Sequence, residues 1–206
     1  IILFLTGLFF SLVSTSLIAS DKLETNSYFF FFKHLVFVII GIGLIFIFSY
    51  IDQENLYKIS IYIFFVSLTL LFLVPIIGVE VKGSKRWLDI FFLPRLQPIE
   101  LVKPFFIIVL SILLTFHKLK NFTLKFILTL ILTFIISFLL IIQPDLGQTL
   151  LICFTWMLLI FVSGVNLIFL SAISVIGLSL LLYFIFYVAK FEYIKNRILS
   201  FFNSET

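Results

Sequence analysis

The sequence predicts an all-α integral membrane protein, a multi-span helical bundle, and three observations carry that prediction. Of the 206 residues, 63% are hydrophobic and 12% charged, about half the roughly 25% charged share of a soluble domain. The apolar residues gather into seven runs, each near the roughly 20 residues that a helix needs to cross a bilayer. Between the runs stand short polar breakers, and no segment has the composition of a soluble domain.

The runs are 1–19, 35–50, 58–77, 99–116, 124–142, 147–163 and 167–188. The first, IILFLTGLFFSLVSTSLIA, opens on Ile with no initiator Met and no basic flank, so it reads as a span and not as a signal peptide. SDKLETNSY separates it from the second, and YIDQEN separates the second from the third. A long charged loop, 78–98, follows the third; HKLKNFTLK, QPD and SGVN divide the rest, and FFNSET closes the chain. Several runs fall short of 20 residues, which untilted packing or a thinned bilayer accommodates. Both ends read as cut, inside a single membrane domain spanning 1–206.

Thirty Phe fit a coding bias better than a Phe-specific role. The one Cys, Cys153, lies in an apolar run, where it excludes a disulfide within the chain and reads as a packing residue. A net charge of +4, scattered along the chain, suits membrane lipid headgroups or an anionic substrate and excludes nucleic acid as a partner.

Parity assigns loops 20–34, 78–98, 143–146 and the tail from 189 to one membrane face, A, and loops 51–57, 117–123 and 164–166 to the other, B. Face A holds ten cations: Lys22, Lys33, Lys82, Lys85, Arg86, Arg95, Lys103, Lys190, Lys195 and Arg197. Face B holds Lys58, Lys118, Lys120 and Lys125. The positive-inside rule alone would put face A in the cytoplasm.

Face A also carries two similar helix starts. Gln97-Pro98-Ile99-Glu100 and Gln143-Pro144-Asp145-Leu146-Gly147 each set Gln-Pro at the mouth of an apolar run, with a carboxylate close behind. Proline suits the first helical position, where its missing N–H is no loss, and a first-turn carboxylate meets the positive end of the helix dipole. The two starts either converge on one cavity or are simply two well-made helix starts. Glu100 and Lys103, at i,i+3, share a helix face. As ionisable groups near the membrane boundary they suggest function, although an ion pair locking helix 99–116 to a neighbour would explain them as well. Lys82, Lys85, Arg86 and Arg95 offer a basic rim for a phosphate or pyrophosphate, or cations snorkelling to lipid headgroups. Trp87 reads most simply as an interfacial aromatic.

Other chemistry is missing. There is no Gly-rich nucleotide loop, no metal-ligand spacing and no cofactor motif; His34 and His117 read as boundary residues. The spans are nearly free of charge, which argues against a midplane proton relay.

At KGSKRWLD, QPIELVKP and QPDLGQTLLI the sequence resembles the SEDS family (shape, elongation, division and sporulation). The family pattern is a Lys/Gly loop running into Arg-Trp, then Gln-Pro-Ser-Glu and, after two spans, Gln-Pro-Asp-Leu-Gly-Thr. The tail RILSFFNSET resembles the family's segment after its seventh span, so the similarity covers essentially the whole chain. VKGSKRWL and QPDLGQT stand closer to the division-type than to the elongation-type members. Ile99 replaces the usual Ser, Gln148 the usual Thr, and Pro104 and Pro94-Arg95 are also departures. The family is expected to have about ten spans, against seven here.

The resemblance implies a peptidoglycan glycosyltransferase at the outer face of the bacterial cytoplasmic membrane. Its substrate would be lipid II, an undecaprenyl-pyrophosphate-linked disaccharide peptide. A class B penicillin-binding protein and divisome or elongasome proteins would be its partners. The family's catalytic Asp is expected in a large loop downstream of Thr206, so no catalytic residue is assigned here and this chain alone is expected to be inactive. Carried over, Glu100, Lys103 and Asp145 would support the cavity, Arg86 and Arg95 would lie near the pyrophosphate, and Lys85 would be a further substrate-binding or supporting residue. Trp87, Gln97, Pro98, Gln143, Pro144 and Gly147 would be motif residues. No metal site is assigned, with a divalent cation as one means of neutralising the leaving diphosphate. The resemblance puts face A outside, against the Lys/Arg count. A lipid II flippase and a non-catalytic division scaffold are the competing readings; charge-free spans favour the polymerase over the flippase.

Overall fold

The computed structural model describes residues 2–23, 29–81, 84–89, 95–117 and 119–188, with 192, 195, 196 and 199 beyond them. Lys82, Lys118, Lys190, Arg197 and most of RILSFFNSET lie outside the described residues. The chain divides into two units, Ile1–Leu56 and Tyr57–Thr206. The first holds α1 (Ile2–Leu23), α2 (Phe29–Ser49) and the start of α3 (Gln53–Ile77). The second holds the rest of α3, a β1 (Val79–Val81)–β2 (Ser84–Trp87) hairpin, α4 (Pro98–Thr115), α5 (Phe122–Ile142), α6 (Leu146–Val162) and α7 (Leu167–Tyr187).

All seven expected spans are helices. Phe31–Ser49, Gln53–Ile77, Pro98–Thr115 and Phe122–Ile142 are long and apolar enough to cross a membrane, and the chain is a multi-pass membrane protein. The helices outrun the apolar runs where polar residues do not break them: α1 continues through Asp21 and Lys22, α2 starts at Phe29, and α3 starts at Gln53. Loops 20–34 and 51–57 are accordingly shorter than expected. Hydropathy marks what lipid touches, whereas a helix runs until its hydrogen-bond ladder stops. In the first unit, His34 sits beside Gly7: a Cβ added there would lie 3.6 Å from its Nε2.

The 78–98 loop is partly structured. Gly78 closes α3 with its N–H on Val74 C=O at 2.8 Å, so close that an added Cβ would lie 2.3 Å from that oxygen. Val79-Glu80-Val81 then pairs antiparallel with Ser84–Trp87, with Glu80 opposite Lys85. A bridge between Leu88 and Leu96 brings the chain back to α4.

The second unit packs around one stripe from each helix. Phe64, Leu68 and Leu71 of α3 meet Val102, Phe106 and Leu110 of α4, Ile136 and Leu140 of α5, and Ile152 and Ile160 of α6. The rings of Phe64 and Phe106 stack at 6.5 Å. The outward faces are just as apolar, as with the exposed Phe134 and Phe138. Polarity instead marks the interior. Thr129, Thr133 and Ser137, one turn apart along α5, are buried, as small and hydroxylated residues at membrane helix interfaces tend to be. Trp156 Nε1 of α6 donates to Thr129 Oγ1 at 3.2 Å, and Ser137 Oγ lies 3.4 Å from the thiol of the half-buried Cys153. At the far end of α4, Lys125 Nζ donates to Leu114 C=O at 2.8 Å, a cation set against carbonyls that the helix leaves unpaired.

Candidate functional site

The site forms where α3 and α5 end and α4 and α6 begin, with the hairpin over them. Helix ends supply its chemistry: the carbonyls just past the end of α5, at the cap Gln143 and at Pro144, receive no donor from the α5 ladder. Arg86, on β2, meets both. Its Nε donates to Gln143 C=O at 3.3 Å, its Nη2 donates to Pro144 C=O, and its Nε lies 3.7 Å from Asp145 Oδ2. Placing a guanidinium here also complements the negative end of the α5 dipole.

Asp145 is the N-cap of α6: its Oδ1 accepts the Gln148 N–H at 3.5 Å, at the edge of hydrogen-bond range. Its Oδ2 accepts Gln97 Nε2 at 3.4 Å. The carboxylate is buried, its side chain 10% exposed, between a cation and a helix N-terminus. Gln97 in turn is the N-cap of α4 without making a side-chain cap of its own, because its amide is turned to Asp145. One carboxylate thus joins the hairpin, the α5–α6 turn and both helix starts.

The two starts differ from expectation in one respect. Pro98 is indeed the first residue of α4, with Glu100 in the first turn. Pro144 is not the first residue of α6; it precedes the cap Asp145, and Gln143 is the C-cap of α5. With three residues between the helices, the carboxylate that accepts an N–H must stand outside the helix, which moves the proline out as well.

Gln143 has a role that its motif position did not announce. Pro75 lies inside α3 and has no N–H, so the carbonyl four residues earlier, Leu71, lacks its helical donor. The buried Gln143 side chain supplies one, donating Nε2 to Leu71 C=O at 3.3 Å. A proline within a helix, paired with a buried Gln at a neighbouring helix end, was the signal that could have found this contact.

Glu100 and Lys103 stand beside this locked core and remain partly open. Lys103 Nζ lies 2.7 Å from Glu100 Oε2, with side chains 23% and 52% exposed. Gln148, not among the expected site residues, donates Nε2 to Glu100 Oε1 at 3.2 Å. The chain therefore brings together Arg86, Gln97, Pro98, Glu100, Lys103, Gln143, Pro144 and Asp145. Four others make none of these contacts. Arg95 forms an exposed pair with Asp89 at 3.8 Å. Lys85 lies exposed on β2, on a cleft of about 230 Å³ shared with Glu80, Ser84 and Gln143. Trp87 is half-buried in the hairpin opposite Val79, and Gly147 has open space where a side chain would stand. Among the described residues no three His, Cys, Asp or Glu side chains come together as a metal cage.

Residues 1–206 match the FtsW/RodA/SpoVE family, described as cell cycle proteins. A Wigglesworthia glossinidia brevipalpis protein named probable peptidoglycan glycosyltransferase FtsW is 33% identical over 94% of this chain and 53% of its own length. A Coxiella burnetii protein of the same name is 32% identical over 74% of the chain and 42% of its own. A variant of the Thermus thermophilus rod shape determining protein RodA superposes with a TM-score of 0.64 at 26% identity, covering 85% of this chain and 58% of that one. A chain of a peptidoglycan synthase complex shares the fold at a TM-score of 0.70 and 24% identity, over 97% and 59%. The chain spans about half the length of the curated relatives it matches. With a match along its whole length and the two Gln-Pro helix starts brought together in its fold, the chain belongs to the FtsW/RodA/SpoVE family of cell cycle proteins.

Proposed function

We propose that the full-length protein is a peptidoglycan glycosyltransferase that polymerises lipid II into glycan strands at the extracytoplasmic face of the inner membrane. The observation that carries the reading is the partly open Glu100–Lys103 pair beside the buried Arg86–Asp145 lock. The names of the curated relatives support it. Glycosyl transfer from a lipid pyrophosphate needs the leaving diphosphate neutralised and the acceptor hydroxyl deprotonated. Lys103 is linked to the lock through Glu100 and Gln148, and Lys85 and Arg95 are exposed cations of the same loop region. Arg86 contributes by holding the wall together, since its contacts go to the α5–α6 turn. The base is an Asp in a loop beyond Thr206, as the resemblance implies. No step is assigned to a resident metal; a divalent cation carried by the diphosphate would show as loss of activity on chelation. A class B penicillin-binding protein is the proposed partner, as transpeptidase.

The test is polymerisation of purified lipid II by the full-length protein carrying Lys103→Ala or Glu100→Ala. Loss of glycan product in folded protein is expected; full activity in both would overturn the reading. A reporter fused at residue 120 should give a cytoplasmic signal, and a periplasmic signal would reverse the proposed orientation.

A further inference from the structure

We infer that Gln148 is a positioning residue that fixes the Glu100 carboxylate against Lys103, a role that rests on the function proposed above. Gln148 stands three residues after the α6 N-cap, Asp145. A Glu or Gln at that spacing ordinarily reaches back to the backbone N–H of the N-cap residue and closes a reciprocal box. Here that N–H is already in use, donating to Leu140 C=O of α5 at 2.9 Å. The short α5–α6 turn has taken the cap's donor, and the Gln148 amide is released to work elsewhere. It crosses to α4 and donates to Glu100 Oε1 at 3.2 Å, while Lys103 holds Oε2 at 2.7 Å.

The carboxylate is therefore gripped at both oxygens, by a neutral donor from one helix and a cation from its own. The terminal torsion of a glutamate is broad, and a half-exposed i,i+3 pair orders its partners weakly. The second donor sets which way the pair faces. Asymmetry in the amide itself points the same way: Gln148 Oε1 is buried with no hydrogen-bond partner among the described residues. Only the donor half of the side chain is used, so the position supplies an N–H, and a shorter hydroxyl side chain would not reach from α6 to Glu100.

The test uses purified full-length protein and two readouts. In thermal unfolding, Gln148→Ala should lower Tm in the unsubstituted background but not further in Glu100→Ala; additive losses would overturn the contact. In lipid II polymerisation, Gln148→Ala and Gln148→Glu should lower kcat by about 10- to 100-fold with KM within about twofold, as expected when the Glu100–Lys103 pair is misplaced. Gln148→Lys, a donor without an acceptor, should recover at least tenfold over Gln148→Glu. Equal activity of Gln148→Glu and the unsubstituted protein would overturn the inference and leave the proposed function standing. An unsubstituted protein that makes no glycan would overturn the proposed function, and the unfolding cycle would still decide whether Gln148 holds Glu100.

Discussion

The helix starts at α4 and α6 share a Gln-Pro signature and a carboxylate, yet they are built to opposite ends. At α6 the carboxylate is drawn inside: Asp145 is buried, capped on Gln148 N–H and faced by Arg86 and Gln97. At α4 the carboxylate stays half in solvent, beside a lysine of its own helix. Two contexts explain the contrast. The α6 start follows α5 after three residues and sits under the hairpin, where a charge must be paired. The α4 start emerges from a long loop and keeps one side free. One signature thus serves a structural lock and an accessible ion pair, and burial decides which.

The contrast can be broken most forcefully at Arg86. Arg86→Ala leaves Asp145 buried without its cation and should cost on the order of 3 kcal/mol, the usual scale for breaking a buried pair, read as thermal unfolding of the purified protein. A loss below about 1 kcal/mol would mean that Gln97 and the helix dipole suffice.

Gln143→Leu should cost about 1–3 kcal/mol, because it strands the Leu71 carbonyl in the interior. Its distinguishing feature is rescue: Pro75→Ala returns an N–H facing Leu71, so the cost of Gln143→Leu should shrink in that background. Equal costs in both would remove the proline from the explanation. Away from the site, Thr129→Val deprives Trp156 Nε1 of its acceptor and should cost about 0.6 kcal/mol, and at most about 1.7, as membrane interhelical hydrogen bonds do. At the smallest end, Arg95→Ala breaks an exposed pair with Asp89 and should lie within about 0.5 kcal/mol of the unsubstituted protein.

These residues also show what the sequence made legible. Seven apolar runs located seven helices, because a segment crossing a bilayer must be both apolar and helical. Parity placed QPIE and QPDLG on one face, and the fold brings them together. Helix faces were not legible, because exposed Phe134 and buried Ile136 are equally apolar. The spaced hydroxyls of Thr129, Thr133 and Ser137 were the better sign of the interior. The hairpin hid among the charges of the 78–98 loop, although Val79-Glu80-Val81 alternates as a strand does. Gln143 to Leu71 and Gln148 to Glu100 were hidden for another reason. Each depends on a backbone group made free or occupied elsewhere, by Pro75 in one case and by Leu140 in the other.

The most direct test of the difference between the two starts sets Lys103→Ala beside Arg86→Ala in the full-length protein. Unfolding temperature and lipid II polymerisation would be measured on the same preparations. Lys103→Ala should leave the unfolding temperature nearly unchanged and abolish glycan synthesis, whereas Arg86→Ala should lower the unfolding temperature sharply. Full polymerisation by a stable Lys103→Ala protein, or an Arg86→Ala protein as stable as the unsubstituted one, would contradict the assignment of chemistry to α4 and of structure to α6.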